Sequence, residues 1–314
     1  MFRKPFTDRS LIRLLLLPMV CMACLFATGC GGSKKSPDEP PVYEKPHVLV
    51  PEASGEQTLG SEDYLLLDIS HTDQGYFIAI APDDGLRRNI KLVSEATGVE
   101  YSYFIESGSS AVIPFTDGEG KYKVTCYLQV QDSQYAALFV SDIDVALENV
   151  FFPYLYPNQY VDFNEDTEAC ILSASLLPDD AVDIDCLNVI YDYVTANVVY
   201  DEHKAQTVEA GYLPVIDETL HSGTGICFDY AALMTAMLRM RGIPCRLVTG
   251  YAGTIKHAWI DVYIRSRGWV EQVISFDGQS WNRMDPTFAA AVDDKEFIRS
   301  YIGDGDNYTV QYAH

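Results

Sequence analysis

Gly223-Thr224-Gly225-Ile226-Cys227-Phe228-Asp229-Tyr230-Ala231-Ala232-Leu233 sets a cysteine between a small-residue turn and a helix-forming run. Farther on, His257-Ala258-Trp259 opens an alternating strand, and Met284-Asp285-Pro286-Thr287 follows. A thiol, an imidazole and a carboxylate thus occur in that order, each in a defined local setting. The order suits nucleophilic acyl transfer, in which a base activates the nucleophile and a third group orients the base.

Each setting has a physical use. A free thiol is mostly protonated at neutral pH. A helix N-terminus favours the thiolate through its unpaired N–H groups and its macrodipole. Gly223 and Gly225 let a substrate approach the backbone closely. His257 begins a strand and can project from a sheet edge toward the Cys227 helix. Asp285 precedes a proline, which stiffens its loop. A carboxylate fixed there can hold the imidazole's tautomer and favour the imidazolium. The N–H of Cys227 supplies half of an oxyanion hole. The other half must come from upstream, with Tyr200 the nearest candidate and Asn197 behind it.

Outward from this stretch, the pattern predicts a helix from Cys227 to about Arg241, with Cys227, Ala231, Met234 and Leu238 on one face. Gly242 stops it, and Pro244 prevents its continuation. An earlier helix is expected with Asp185 as N-cap and Leu187, Ile190, Tyr191 and Val194 on its apolar face. Strands are expected at 246–251, 257–264 and 268–276, with Asp277-Gly278 as a turn before Trp281. All three tryptophans, Trp259, Trp269 and Trp281, fall in the last sixty residues or so. Residues 61–150 read instead as strands: 64–69, 75–80, 122–128, 137–140 and 143–147, separated by Asp-Gly turns. That spacing fits an antiparallel β-sandwich with no catalytic cluster.

The N-terminus reads as a targeting segment over residues 1–29. Arg3, Lys4, Arg9 and Arg13 form a basic region, and Leu14 to Phe26 is an apolar stretch too short for a membrane span. Ala27-Thr28-Gly29-Cys30 resembles the lipobox of bacterial lipoproteins, with Ala27 where leucine is commoner. That likeness implies cleavage before Cys30 and a lipid on its thiol. The alternative is a plain secretory signal. Residues 30–60, polar and proline-rich, read as a flexible tether. The chain has 314 residues and a net charge of −23. Cleavage would remove a segment of charge +3 and leave −26. Such acidity argues against a nucleic-acid partner and makes lipid, not charge, the membrane anchor.

Five of the eight cysteines lie beyond the signal region: Cys126, Cys170, Cys186, Cys227 and Cys245. Cys126 shares strand parity with Val124 and Leu128 and reads as a core residue. Export permits disulfides, but free thiols are favoured over a Cys170–Cys186 bridge. His71, His203, His221 and His314 lack metal-ligand spacing, so neither metal nor cofactor is expected. Asp179-Asp180 and Asp293-Asp294 read as solvated faces, calcium being the alternative.

Residues from about 185 to 290 resemble the transglutaminase-like superfamily, papain-fold thiol acyltransferases and peptidases. The matching blocks are Tyr200-Asp201, Gly223 to Leu233, Gly242-Ile243-Pro244, Val248-Thr249-Gly250-Tyr251, His257-Ala258-Trp259 and Asp285-Pro286-Thr287. The resemblance implies an α+β chain: the sandwich, then a papain-like core over 151–314 with helices packed on an antiparallel sheet. It implies Cys227 as nucleophile, His257 as base and Asp285 as orienter. Taken singly, Cys227 would read as a buried structural cysteine, His257 as a satisfied strand histidine and Asp285 as a turn residue. Gly225, Trp259 and Trp281 are expected to wall the cleft. Cys245 stands where alanine is common, and Gly268 to Gly278 reads as an inserted hairpin overhanging the cleft. The expected activity is that of a cell-surface peptidase or amidase on peptide or protein amides, wall peptides or surface proteins by location, at the outer face of a bacterial cytoplasmic membrane. Protein crosslinking by transamidation is the alternative. A non-catalytic peptide-binding module is the alternative of another class.

Overall fold

In the computed structural model the described residues are 38–131, 133–271, 274–276, 281–283 and 308–314. All of them belong to one unit, Lys35–His314. The strands β1 (Thr58–Ser61), β2 (Leu65–Asp68), β3 (Tyr76–Ile80), β4 (Arg88–Ser94), β5 (Glu100–Ile105), β6 (Ser110–Pro114), β7 (Gly120–Gln131) and β8 (Gln134–Val145) come first. They form two antiparallel sheets, ordered β1-β2-β3-β6 and β5-β4-β7-β8. Alternation decides what is buried: Tyr122, Val124 and Cys126 of β7 point inward, and Lys121 and Lys123 outward. Leu65, Leu67, Phe77, Ala79 and Ile113 of one sheet share a core with Ile90, Leu92, Tyr103 and Val124 of the other. The two runs expected at 137–140 and 143–147 are a single strand, β8. Ser141-Asp142 between them is polar because β8 is an edge strand, where polar residues face water. Asp142 pairs across from Lys123, and Asp144 from Lys121.

The tether expected at 30–60 is held against the body from Glu39 onward. Prolines leave carbonyls without N–H partners, and Arg265 uses them: its Nη1 and Nη2 donate to the carbonyls of Pro40 and Pro41 at 3.0 and 2.8 Å. Asn149 donates to the Glu39 carbonyl at 2.8 Å. Val48 is buried in the core of the second half, and the Glu52 N–H reaches the Tyr76 hydroxyl. Low hydrophobicity marked this stretch as free chain, but a few well-placed acceptors suffice to tie it down.

The second half contains α1 (Glu168–Leu176), α2 (Asp183–Asn197), β9 (Val199–Tyr200), α3 (Glu202–Thr207), α4 (Ile216–Ser222), β10 (Thr224–Gly225) and α5 (Cys227–Arg239). The strands β11 (Cys245–Ala252), β12 (Ile255–Ile264), β13 (Gly268–Val270), β14 (Ile274–Phe276), β15 (Trp281–Arg283) and β16 (Tyr308–Ala313) follow. The main sheet has the order β13-β12-β11-β16. Helix α2 starts two residues before the expected cap. Val182 precedes it, and Asp183 and Asp185 lie in its first turn, where carboxylates suit the helix dipole. Its face of Leu187, Ile190, Tyr191 and Val194 is buried as read. The hairpin expected over Gly268–Gly278 is instead split. β13 is an edge of the main sheet, while β14 pairs with β15, and the turn expected at Asp277-Gly278 lies outside the described residues.

Helix α5 is the centre of this half. From Asp229 to Arg239 every residue is buried, as suits a core helix. It packs on β11 and β12, meeting Ala258, Ile260 and Val262 of β12 in one core. Beyond its end Gly242 has φ +73°, and the Tyr43 ring lies 2.7 Å from where a Cβ would stand. Arg239, 1% exposed, is fully engaged. Its Nε and Nη2 donate to the Cys245 carbonyl, Nη1 to that of Tyr156 and Nη2 to that of His314.

His314 exchanges backbone hydrogen bonds with Leu247, and its ring stacks on Tyr160 at 3.7 Å. Burial and the nearby Arg239 charge push its pKa down to about 3. An unfolded histidine titrates near ~6.5, so the unfolded chain binds the extra proton between those values. The neutral, buried state therefore gives its full stability above about pH 6.5 and loses it as pH falls toward 3. Urea unfolding of wild type and His314→Leu from pH 4 to 7 should differ in slope by up to about 1.4 kcal/mol per pH unit, wild type being the steeper. Parallel stability–pH curves would remove this linkage.

Candidate functional site

The turn before Cys227 is built by a short parallel pairing. Tyr200 of β9 lies beside Gly225 of β10. The N–H groups of Val199 and Asp201 donate to the carbonyls of Gly223 and Gly225 at 2.8 and 2.9 Å. Gly225 is required by its neighbour: a Cβ there would stand 2.7 Å from Cβ of Asp229. Asp229 folds back beneath the turn and accepts the Ile226 N–H at 2.8 Å. This is one side of a capping box, because the Ile226 side chain has no polar atom to return the bond.

Cys227 is the first residue of α5 and is partly exposed, packed with Phe228 against the core. It sits where helix N–H groups lack intrahelical partners. The other four described cysteines are buried free thiols. Burial pushes Cys126, Cys170 and Cys245 up to about 12. Burial also raises Cys186, with Arg241 opposing it. Cys227 is thus the described cysteine that solvent reaches.

His257 lies opposite Gly250 in the β11–β12 pairing. β13 pairs only with Val262–Ile264, so no described strand covers the His257 end of β12. That end is the local edge expected from sequence. Arg239 binds the Cys245 carbonyl at the far end of α5, and α5 packs on both β11 and β12, the strand that carries His257. Its ring lies 6.4 Å from Trp259 and 6.0 Å from Tyr308. Trp259 and Tyr308 meet edge-on at 5.2 Å. Gly250 makes room for them: a Cβ would stand 2.0 Å from the Thr309 carbonyl and 2.9 Å from the Trp259 ring.

Of the other expected residues, Tyr200 is brought beside the turn. Asn197 turns its amide N–H back to the Tyr193 carbonyl within its own helix, at 2.7 Å. Trp281 opens β15, opposite Phe276. Asp285 and Cys30 lie outside the described residues. No group of three or more His, Cys, Asp or Glu suited to a metal occurs among the described residues.

Sequence reasoning missed the partners of Asp229. Lys204 Nζ donates to Asp229 Oδ2 at 2.8 Å and to the Tyr212 hydroxyl at 2.7 Å, and that hydroxyl donates to Asp229 Oδ1. Burial opposes the Lys204 charge, but its bonds to Asp229 and Tyr212 outweigh this and raise its pKa. Burial, then the bond to Asp229, pushes Tyr212 up to about 12. The acid two residues past Cys227 was the one available signal. Lys204 and Tyr212 lie 25 and 17 residues away in sequence, with nothing local to mark them.

Residues 177–286 match the model of the transglutaminase-like superfamily. This segment is a transglutaminase-like domain. It runs from just before α2 through Asp285. An uncharacterized protein of Mycobacterium leprae is 35% identical over 29% of this chain and 31% of its own length. The uncharacterized protein YebA of Bacillus subtilis is 25% identical over 37% of this chain and 19% of its own. The chain thus spans a third or less of those relatives. Among solved structures, a candidate cysteine protease from Cytophaga hutchinsonii aligns over 76% of this chain and 78% of its own, with 14% identity and a TM-score of 0.37. Red sea bream transglutaminase aligns over 69% and 53%, with 13% identity and a TM-score of 0.29.

Exposure within the transglutaminase-like domain makes a direct prediction. Iodoacetamide at mildly acidic pH, read by peptide mass spectrometry, should modify Cys227 at least tenfold faster than Cys126, Cys170, Cys186 or Cys245. Equal labelling of all five, or protection of Cys227, would contradict the geometry described.

Proposed function

We propose that the transglutaminase-like domain is a thiol acyl-transfer enzyme acting on peptide or protein amides, with Cys227 as nucleophile, His257 as general base and Asp285 as the orienting carboxylate. One observation carries this reading: a solvent-reachable cysteine opens a buried helix while the other described cysteines are sealed in the core. The Cys227 sulfur attacks the amide carbon, giving its proton to His257. The tetrahedral oxyanion is met by the Cys227 N–H and a second donor from the Tyr200 strand. Collapse breaks the C–N bond as His257 returns the proton to the departing amine. Water, deprotonated by His257, then cleaves the thioester and frees the thiol. An amine in place of water gives transamidation, and the choice rests on how well water is excluded from the acyl-enzyme. Gly225 and Trp259, expected as cleft walls, are buried and would back the cleft from within, and Trp281 would border the substrate.

The protein is proposed to act at the cell surface, on wall peptides or surface proteins, held by a lipid on Cys30. Among the described residues no helix is long and apolar enough to cross a membrane. The strap beginning at Glu39 brings Tyr43 against Gly242, beyond the end of α5 remote from Cys227.

Two experiments test the proposal. With an amide substrate and folded variants, Cys227→Ala should abolish turnover, and His257→Ala should lower it by at least about a thousandfold. Asp285→Ala should cost less, since the imidazole keeps its chemistry and loses orientation. The double variant Cys227→Ala/His257→Ala should be little worse than either single one. Turnover persisting in folded Cys227→Ala would refute the covalent route, and peptide binding without turnover in wild type would favour a binding module.

For the anchor, wild type should partition with membranes, and Cys30→Ala should be released or left unprocessed. Equal solubility and cleavage of both would end the lipoprotein reading.

A further inference from the structure

We infer that Asp229, Lys204 and Tyr212 form a charge-balanced brace that positions Cys227 and sets the electrostatic field at the start of α5. They are positioning residues, and their role rests on Cys227 being the nucleophile.

The geometry is specific. Asp229 is fully buried, and both its oxygens are engaged. One holds the Ile226 N–H, so the Gly225–Ile226 peptide is clamped. That peptide is one before the one that carries the Cys227 N–H, and the clamp fixes where the backbone enters α5. The partner cation arrives on a separate element. Lys204 belongs to α3, whose N-cap Asp201 accepts the Lys204 N–H at 2.8 Å and donates its own N–H to the Gly225 carbonyl. The turn is thus tied to α3 twice, once through backbone and once through the ion pair. Tyr212 closes the third side and places its ring against Phe228, 6.3 Å between centroids.

A buried carboxylate at this place has a cost for the chemistry. Its negative charge near a helix N-terminus opposes thiolate formation two residues earlier. Lys204 cancels that charge without being buried itself, at 30% side-chain exposure. A buried ion pair is weak evidence of stability in itself. Here it permits a rigid carboxylate clamp beside a thiol that must ionise. Other titratable groups at this turn are Tyr200 of β9 and Asp201. The α4 groups Asp217 and His221 are committed to α1, to the N–H groups of Glu168 and Ala169 and to the Glu168 carboxylate.

The test is a charge cycle read at Cys227 alone. The pH dependence of iodoacetamide modification of the Cys227 peptide is measured in the full chain, with folding checked by circular dichroism. Lys204→Met leaves Asp229 unbalanced, and the midpoint should rise by about one pH unit. Asp229→Asn leaves Lys204 unbalanced, and the midpoint should fall by about as much. The double variant should return close to wild type, and Tyr212→Phe, which removes no charge, should leave the midpoint in place. Lys204→Gln replaces Lys204→Met if the latter is unfolded. Midpoints that stay together, or that move in one direction for both charge removals, would overturn the brace. The midpoint is read on the Cys227 peptide whatever its speed. A wild-type Cys227 no faster than the buried thiols would sink the nucleophile reading without deciding the brace, which stands or falls on the shifts.

Discussion

A guanidinium without water must find acceptors for its donors, or its burial costs several kcal/mol. Arg239 meets that demand by collecting the carbonyls of Tyr156, Cys245 and His314. Those three carbonyls come from the segment leaving the first half, from the start of β11 and from the residue after β16. One side chain at the end of α5 therefore fixes how the helix sits on its sheet. Ridges of alanine and methionine on α5 could slide by a turn at modest cost. The buried cation cannot, because a slide would leave it unpaired. Register set there is carried along a stiff helix to Cys227 at the other end, and along β11 and β12 to His257. The thiol's position thus depends on a contact about 18 Å away.

The two ends of α5 solve opposite problems. At its C-terminal end, polar groups must be removed from water, and satisfied hydrogen bonds do this. At its N-terminal end, N–H groups stay available, as the proposed acyl transfer requires of donors for a developing oxyanion. Asp229 takes only the Ile226 N–H, outside the helix proper. A serine or aspartate at the cap would have claimed the donors inside it. Ile226 in that position claims none.

Much of this was legible because local rules act alone in the relevant stretches. The helix at Cys227, its stop at Gly242 and the alternation around Cys126 each follow from a few adjacent residues, and the structure has them within a residue or two. The strands expected at 246–251 and 257–264 are β11 and β12, and their pairing sets His257 opposite Gly250. What escaped reading depends on partners distant in sequence. β16 has a β-rich run, Tyr308-Thr309-Val310-Gln311-Tyr312, but nothing local marks β11, more than fifty residues back, as its partner. The strap reads as free chain until Arg265, more than two hundred residues on, supplies donors for Pro40 and Pro41. Tyr200 was the nearer upstream candidate, with Asn197 behind it. The β9–β10 pairing sets Tyr200 beside the turn, while the Asn197 amide is satisfied in its own helix.

Glycine placement shows how closely the site constrains its sequence. Gly225 and Gly250 are remote in the chain and lie in different elements. Neither needs a positive φ, so neither is a turn residue in the usual sense. Each is small because a neighbour occupies the volume a Cβ would take: the Asp229 side chain in one case, the Thr309 backbone and Trp259 ring in the other. A side chain of Asp229 can give a little, but a strand backbone cannot. An added methyl at 250 would therefore push β16 away from β11, and with it Tyr308, which packs beside His257. The histidine's surroundings are held by the same pairing that seats His314 against Arg239. The site and the buried cation are two ends of one packed unit.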